Sequence, residues 1–296
     1  MNKLLAICLL MALSNASFAQ VIHKERSLYR NIIVEDNYNL RCLKFNVKTS
    51  KTNQSCLYKD DPQKLVFNYT KLLFSSLLLL DKAPENILIV GLGGGTMSNS
   101  LHQIYPEATI ENVEIDPAVI KVARQYFGFF ENDKITSKVQ DGRIFVKRAA
   151  MKKQKYDWII LDAFNGDYIP EHLLTKEFLQ ETKSLLSKGG VLSANTFSVS
   201  DLYAHESATY KAVFGDFFNV RNKLNSNRII LTSNEPLPSG EIIINRVKQL
   251  STRLAPYGVN IAQISSSMTS TKEDQDWPDD TKLLTDQFSP ANLLNQ

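Results

Sequence analysis

From residue 86 onward, short apolar runs alternate with helix-like ones, and this alternation constrains the fold more than any other feature. "NILIVGL" reads as a continuous apolar strand, followed by a helix over 96–105. "TIENVEI" reads as a second strand, with a helix over 117–127. "ITSKV" is a third, and Asp141 opens another helix. "YDWIILD" and "GVLSANT" are the fourth and fifth, with a helix over 175–186 between them. Strands alternating with helices imply a parallel sheet covered on both faces. The expectation is an α/β fold built on a doubly wound, mostly parallel sheet. "RIILTS" near residue 228 adds a late strand, for which an antiparallel placement is open. The segment 239–254 reads as a helix and the polar, acidic stretch 265–280 as loop.

The first part of the chain is organised differently. Residues 21–60 contain the short strand-like runs "NIIVED", "LRCLKF" and "SCLY", with polar turns between them. Residues 62–80 read as a helix with Pro62 near its start and Leu65, Tyr69, Leu72, Leu73, Leu77 and Leu80 at roughly helical spacing. Ahead of all this lies a leader-like segment. Lys3 gives the charged start, residues 4–13 the apolar core, and Ser17-Phe18-Ala19 the small-residue cleavage site before Gln20. Its apolar core is shorter than the roughly 20 residues of a membrane span. The expected organisation is a signal peptide over 1–19, cleaved after Ala19; an N-terminal β unit with its connecting helix over 20–80; and an α/β domain over 81–296. The expected destination is outside the cytoplasm, in a bacterial periplasm.

Cysteine use fits that destination. Of three cysteines, Cys8 lies in the leader and Cys42 and Cys56 remain. A hairpin centred on the polar stretch 48–53 brings these two together, so a disulfide is expected, with two buried free thiols as the alternative. A loop of about 15 residues closed in this way is worth about 3 kcal/mol.

In doubly wound sheets the ligand sits beyond the carboxyl ends of the strands, so the residues there are the informative ones. The first strand ends in Gly91, Gly93, Gly94 and Gly95. Glycines permit a tight turn and close backbone approach to a ligand. The dinucleotide spacing would need a glycine where Thr96 stands, and no phosphate-loop lysine follows. The second strand ends in Glu114, about twenty residues beyond the glycines, where an acidic side chain accepts ribose hydroxyls. After the third strand comes Asp141, either a helix N-cap or the acceptor of an adenine amine, two roles that do not exclude one another. The fourth strand ends in Asp162, suited to act as a general base toward an amine, to hold that amine by charge, or to fix the following loop. Asp167 on that loop is either a helper or a solvated charge.

Other chemistries find little support. His23, His102, His172 and His205 are scattered, so no metal site is expected. There is no G-x-S-x-G. A net charge of +3 argues neither way on nucleic acid. No basic run or aromatic RNA-binding motif stands out, and no nucleic-acid partner is expected.

With these residues in place, the chain resembles the spermidine synthase family, the polyamine aminopropyltransferases. The match runs from "NQSCLYKDDPQKLVFNYTKLL" through "ILIVGLGGGTMS", "VEIDPAVI", "QDGRIFV" and "YDWIILDAFNGDYIPEHLLTKEFL" to "LLTDQFSPANLL", and looks closest to the spermidine-synthase-like branch. The resemblance implies a Rossmann-like methyltransferase fold. It implies transfer of an aminopropyl group from decarboxylated S-adenosylmethionine to an amine such as putrescine, with no permanently bound cofactor. By position, Gln54, Gly91, Gly93, Gly95, Glu114, Asp141, Gly142 and Pro170 would bind the donor. Asp162 would take the proton, and Tyr69, Asn165 and Asp167 would face the acceptor. The chain departs from the family where Gly94 replaces a loop aspartate, Asn165 a second aspartate, and Thr70-Lys71 a His-Glu pair. The same nucleoside half would serve a methyltransferase using S-adenosylmethionine, or a non-catalytic exported binder of a nucleoside or polyamine. The partners expected are therefore a small-molecule amine and an adenosyl donor. A homodimer is one assembly open to such a chain.

Overall fold

The computed structural model describes residues 19–46, 53–164, 168–198, 202–221 and 227–290. Apart from Ala19, the leader lies outside the described residues.

Two sheets organise the molecule. The first has four antiparallel strands in sequence order: β1 (Gln20–Arg26), β2 (Asn31–Asn37), β3 (Leu40–Asn46) and β4 (Asn53–Tyr58). Of these, β1 had no strand signal of its own in the sequence; "VIHKER" carries little apolar alternation and is held by pairing to β2. Cys42 and Cys56 are direct cross-strand neighbours, with Cα atoms 4.1 Å apart, and are bonded to each other.

Next comes α1 (Asn68–Leu73), which tightens into a 3₁₀ turn over Phe74–Leu78. The helix expected over 62–80 is thus much shorter. Leu65 forms an isolated bridge with Leu57, and its N–H donates to the Tyr257 carbonyl, which takes it out of any helical ladder. At the other end, Ser76 donates its hydroxyl to the Leu73 carbonyl at 2.7 Å, a local bond that competes with regular helix.

The α/β unit follows as β5 (Asn86–Val90), α2 (Thr96–Ile104), β6 (Thr109–Glu114), α3 (Pro117–Tyr126), β7 (Ile135–Val139), α4 (Gly142–Met151), β8 (Tyr156–Leu161), α5 (Lys176–Lys183) and β9 (Leu186–Phe197). It continues with α6 (Leu202–Phe214), β10 (Phe218–Arg221), β11 (Asn227–Ser233), α7 (Gly240–Leu254), α8 (Ile261–Ser265) and β12 (Met268–Ser270). The eight strands lie in the order β12-β10-β11-β9-β8-β5-β6-β7. From β9 to β7 they are parallel; β11, β10 and β12 add antiparallel strands at one edge. The tail read as loop therefore contributes one short strand, β12, whose three residues are too few to carry a period.

Successive residues of β5 serve opposite faces, as the pleat requires. Ile87 and Ile89 pack with Leu101, Ile104 and Leu254, whereas Leu88 and Val90 pack with Val146, Phe178 and Leu179. On the small sheet, Ile32, Val34, Leu43, Phe45 and Leu57 bury one face against Val119, Val122 and Phe127. That docking sets the N-terminal sheet over the strand ends of the large one. Strand order reverses between β5 and β8, so a crevice opens beyond their carboxyl ends.

Candidate active site

The crevice is built by two strand ends that touch. The Asp162 N–H donates to the Val90 carbonyl at 2.8 Å, and the Gly91 N–H to Val113 at the same distance. Gly91 has φ 99°, and a Cβ there would stand 2.3 Å from the Asp162 carbonyl oxygen. Only glycine satisfies both the left-handed backbone and that contact. The result is a cavity of about 430 Å³ between the strand ends and the N-terminal sheet, within the usual size for small-molecule sites.

Gln54, Tyr69, Gly91, Gly93, Glu114, Asp141, Gly142, Asp162 and Pro170 all line this cavity. Gly95 does not line it. It caps α2 from behind the loop in the left-handed region, φ 72°, with its missing side chain filled by Phe129. Asn165 and Asp167 lie outside the described residues. Among the described residues no cluster of three or more metal-ligating side chains occurs, and no helix is long and apolar enough to cross a membrane.

Asp162 is buried, and burial pushes its carboxyl up to about 7, against the pull of hydrogen bonds from Asn195 and Tyr69. Asn195 Nδ2 donates to Oδ1 at 2.8 Å, and the Tyr69 hydroxyl donates to Oδ2 at 3.3 Å. Asn195 is itself oriented, because its Oδ1 accepts from Asn227 Nδ2 at 3.0 Å. Tyr69 is held protonated well above its ordinary range, first by burial and then by the Asp162 charge beside it. A buried carboxyl that titrates near neutrality and is held by two donors can take up a proton at neutral pH.

Glu114 is buried at the end of β6, and both its oxygens are engaged. Oε2 accepts the Leu92 N–H at 3.2 Å and Oε1 the Asp116 N–H at 3.0 Å. Burial raises its pKa, while the Asp116 N–H, the Arg30 charge and the Leu92 N–H pull it back down. Asp141 combines two contacts. Its Oδ1 accepts the Ile144 N–H as the cap of α4, and Oδ2 lies 2.9 Å from His172 Nε2.

Residues 66–224 match the model of the spermine/spermidine synthase domain. A polyamine aminopropyltransferase of Vibrio vulnificus is 45% identical over 97% of this chain and 96% of its own length. The chain belongs to the spermine/spermidine synthase family. Its fold is also that of a probable spermidine synthase from Corynebacterium glutamicum, with TM-score 0.71 and 21% identity, covering 91% of this chain and 98% of that one. Human methyltransferase-like protein 13, solved in complex with SAH, aligns with TM-score 0.60 and 27% identity, covering 64% of this chain and 93% of the human one.

Membership in the spermine/spermidine synthase family makes Gly94 informative. A Cβ at this position would lie 2.7 Å from Ser55 Oγ and 3.0 Å from the Phe127 ring. The space of a loop aspartate is thus narrowed by the N-terminal sheet and the end of α3. Sequence reasoning missed Arg30, Phe45 and Asn195. The first two sit in the N-terminal sheet, where no motif marks them, although both line the cavity. A signal for Asn195 did exist: a polar residue near the carboxyl end of an apolar parallel strand, in "GVLSANT".

Proposed function

We propose that this protein transfers an aminopropyl group from decarboxylated S-adenosylmethionine to an amine, with Asp162 as the proton acceptor. The observation that carries this reading is the buried Asp162 at the sheet's switch point, sharing one cavity with Glu114 and Asp141. Glu114 is placed for the ribose hydroxyls and Asp141 with Pro170 for the adenine, which sets the sulfonium beside Asp162. The acceptor nitrogen attacks the carbon bonded to sulfur. A C–N bond forms, the C–S bond breaks, and its electron pair leaves with neutral methylthioadenosine. The surplus ammonium proton passes to the Asp162 carboxylate. Most of the rate gain comes from holding the amine in line with the breaking bond, and the base adds its share.

Asp162 must be ionised to act, so kcat/KM is expected to rise with pH through about 7. The bound sulfonium favours the carboxylate form, so the corresponding limb of kcat falls at lower pH. Replacing Asn195 with Ala removes a hydrogen bond that lowers the Asp162 pKa, and is expected to move the acidic limb upward. A pH–rate profile checks this; an unmoved limb shows that Asn195 does not act on Asp162.

One observation favours a second reading, methyl transfer from S-adenosylmethionine. Position 94 offers no carboxylate to the amine of the decarboxylated donor, and its side-chain space is crowded by the Ser55 hydroxyl and the Phe127 ring. Calorimetry with methylthioadenosine, S-adenosylmethionine and its decarboxylated form, paired with product assays on putrescine, separates the cases. Binding of the decarboxylated donor with aminopropyl product supports the first. Selective binding of S-adenosylmethionine with methylated product supports the second. Binding without turnover leaves a non-catalytic binder, and no adenosyl binding at all overturns both transfer reactions.

The same proposal includes export. Its support is the leader-like composition of residues 1–19 and the Cys42–Cys56 bond, a pairing characteristic of oxidising compartments.

A further inference from the structure

The turn between β1 and β2 places Tyr29 and Arg30 in the cavity wall, far in sequence from every other site residue. Arg30 is nearly enclosed, with 6% of its side chain exposed. Its guanidinium stacks on the Phe45 ring, 4.2 Å from the ring centre. Nη1 donates to the Phe164 carbonyl at 3.3 Å, two residues beyond Asp162. Nε lies 3.7 Å from Asp116 Oδ2 and makes no hydrogen bond. Asp116 is fully enclosed and otherwise occupied: its Oδ2 accepts from the Ser27 hydroxyl at 2.6 Å and its Oδ1 caps α3 through Ala118 N. Ser27 Oγ in turn accepts the Arg30 N–H at 3.0 Å, so the turn is tied to itself as well as to Asp116.

Three parts of the site therefore meet at one side chain: the N-terminal sheet, the turn after the ribose strand, and the loop after the catalytic strand. Glu114 and Asp116 are two buried carboxylates separated by one residue; Arg30 lies 3.7 Å from Asp116 and shares the cavity wall with Glu114. Burying both charges without a compensating partner would be costly. We propose that Arg30 is a positioning residue: it supplies the positive charge beside Asp116, in the cavity wall it shares with Glu114, and ties down the loop that follows Asp162. The N-terminal turn is then a working part of the active site rather than an appendage. Besides the backbone N–H groups of Leu92 and Asp116, the groups that act on Glu114 are Arg30 and Asp116. Loss of the Arg30 charge leaves Glu114 protonating at higher pH than in the wild type.

This inference rests on the donor-site reading of Glu114, and the experiment keeps the two apart. The affinity of the full chain for methylthioadenosine is measured by calorimetry between pH 5.5 and 8.5 for the wild type, Arg30→Gln, Arg30→Lys and Ser27→Ala. The expected result for Arg30→Gln is about tenfold weaker binding near neutrality, the scale of one charge-assisted hydrogen bond. Its affinity should also start to fall at higher pH than that of the wild type. Arg30→Lys restores the pH behaviour, and Ser27→Ala shows a smaller loss in the same direction. Wild-type binding with an unchanged affinity and pH profile in Arg30→Gln overturns the role of Arg30 alone. Equal losses in the Gln and Lys variants with no pH displacement also overturn it, because only packing was then removed. If Arg30→Gln does not fold, Ser27→Ala decides: wild-type binding in that variant overturns the proposal. Failure of the wild type to bind methylthioadenosine overturns the donor-site reading itself.

Discussion

Asp162→Asn is expected to lose transfer activity by about 10²- to 10⁴-fold in kcat, the usual share of a general base, and to gain stability at the same time. The gain follows from the direction of the Asp162 shift. In the folded chain its carboxyl titrates near 7, against an ordinary value of 3.8. Below the ordinary value both folded and unfolded chains carry the proton, and the native aspartic acid costs nothing for its charge. As pH rises toward 7 the unfolded chain ionises freely while the folded one resists, so wild-type stability falls. Above 7 the loss is complete, on the order of 4 kcal/mol at 1.36 kcal/mol per pH unit. Asparagine carries no charge and escapes this loss. Thermal or urea unfolding should therefore show the variant more stable at pH 8 and close to the wild type at pH 4. Equal stabilities at pH 8 would show that Asp162 is not held against ionisation. Retained turnover would remove it from the proton-acceptor role. Such a trade of stability for activity is common where a charged group is buried for chemistry.

Glu114→Ala is expected to have the second large effect, on binding and on folding together. The carboxylate accepts from Leu92 and Asp116 backbone donors, so its removal leaves two buried N–H groups without their partner. Each such group costs about 1–3 kcal/mol. If Glu114 holds the ribose as proposed, that contact is lost as well, which weakens methylthioadenosine by about 1–3 kcal/mol, or roughly 5- to 150-fold. Arg30 would also face Asp116 alone. Glu114→Gln keeps the shape and one acceptor oxygen, so it separates the two effects: donor affinity falls while most stability remains. Calorimetry beside a denaturation curve reads both quantities. If the alanine variant binds the nucleoside as tightly as the wild type, Glu114 belongs to the loop rather than to the ligand.

Much of this site could be read in the sequence because its residues follow local rules. Glu114, Asp141 and Asp162 end strands or cap helices, and Asp162 follows an apolar run whose length marks where the strand stops. Gly91 announces itself because a turn at a parallel strand's end needs a backbone without Cβ. The helix expected over 62–80 went astray for a physical reason: its leucines keep a helical period, but Leu65 is held by Leu57 and Tyr257, residues distant in sequence. A period records what can be buried on one face, not which partner takes the backbone N–H. α6, too, carried no usable signal, since it is buried on several sides, from Leu202 through Glu206 to Tyr210.

By itself, the sequence determined the alternation of strands and helices, the order of acidic residues along the strand ends, and the pairing available to Cys42 and Cys56. These depend on hydrophobic period and turn chemistry, which act between near neighbours. Only the tertiary structure decided that Asn195 and Tyr69 meet at Asp162, that Ser55 and Phe127 crowd the space a side chain at Gly94 would need, and that Arg30 reaches from the first hairpin to Asp116 and Phe164. Those contacts join residues up to 134 positions apart. Their energies come from burial, which raises the Asp162 pKa and makes the Arg30 charge matter. Burial is a property of the assembled layers, and no short stretch of the chain contains it.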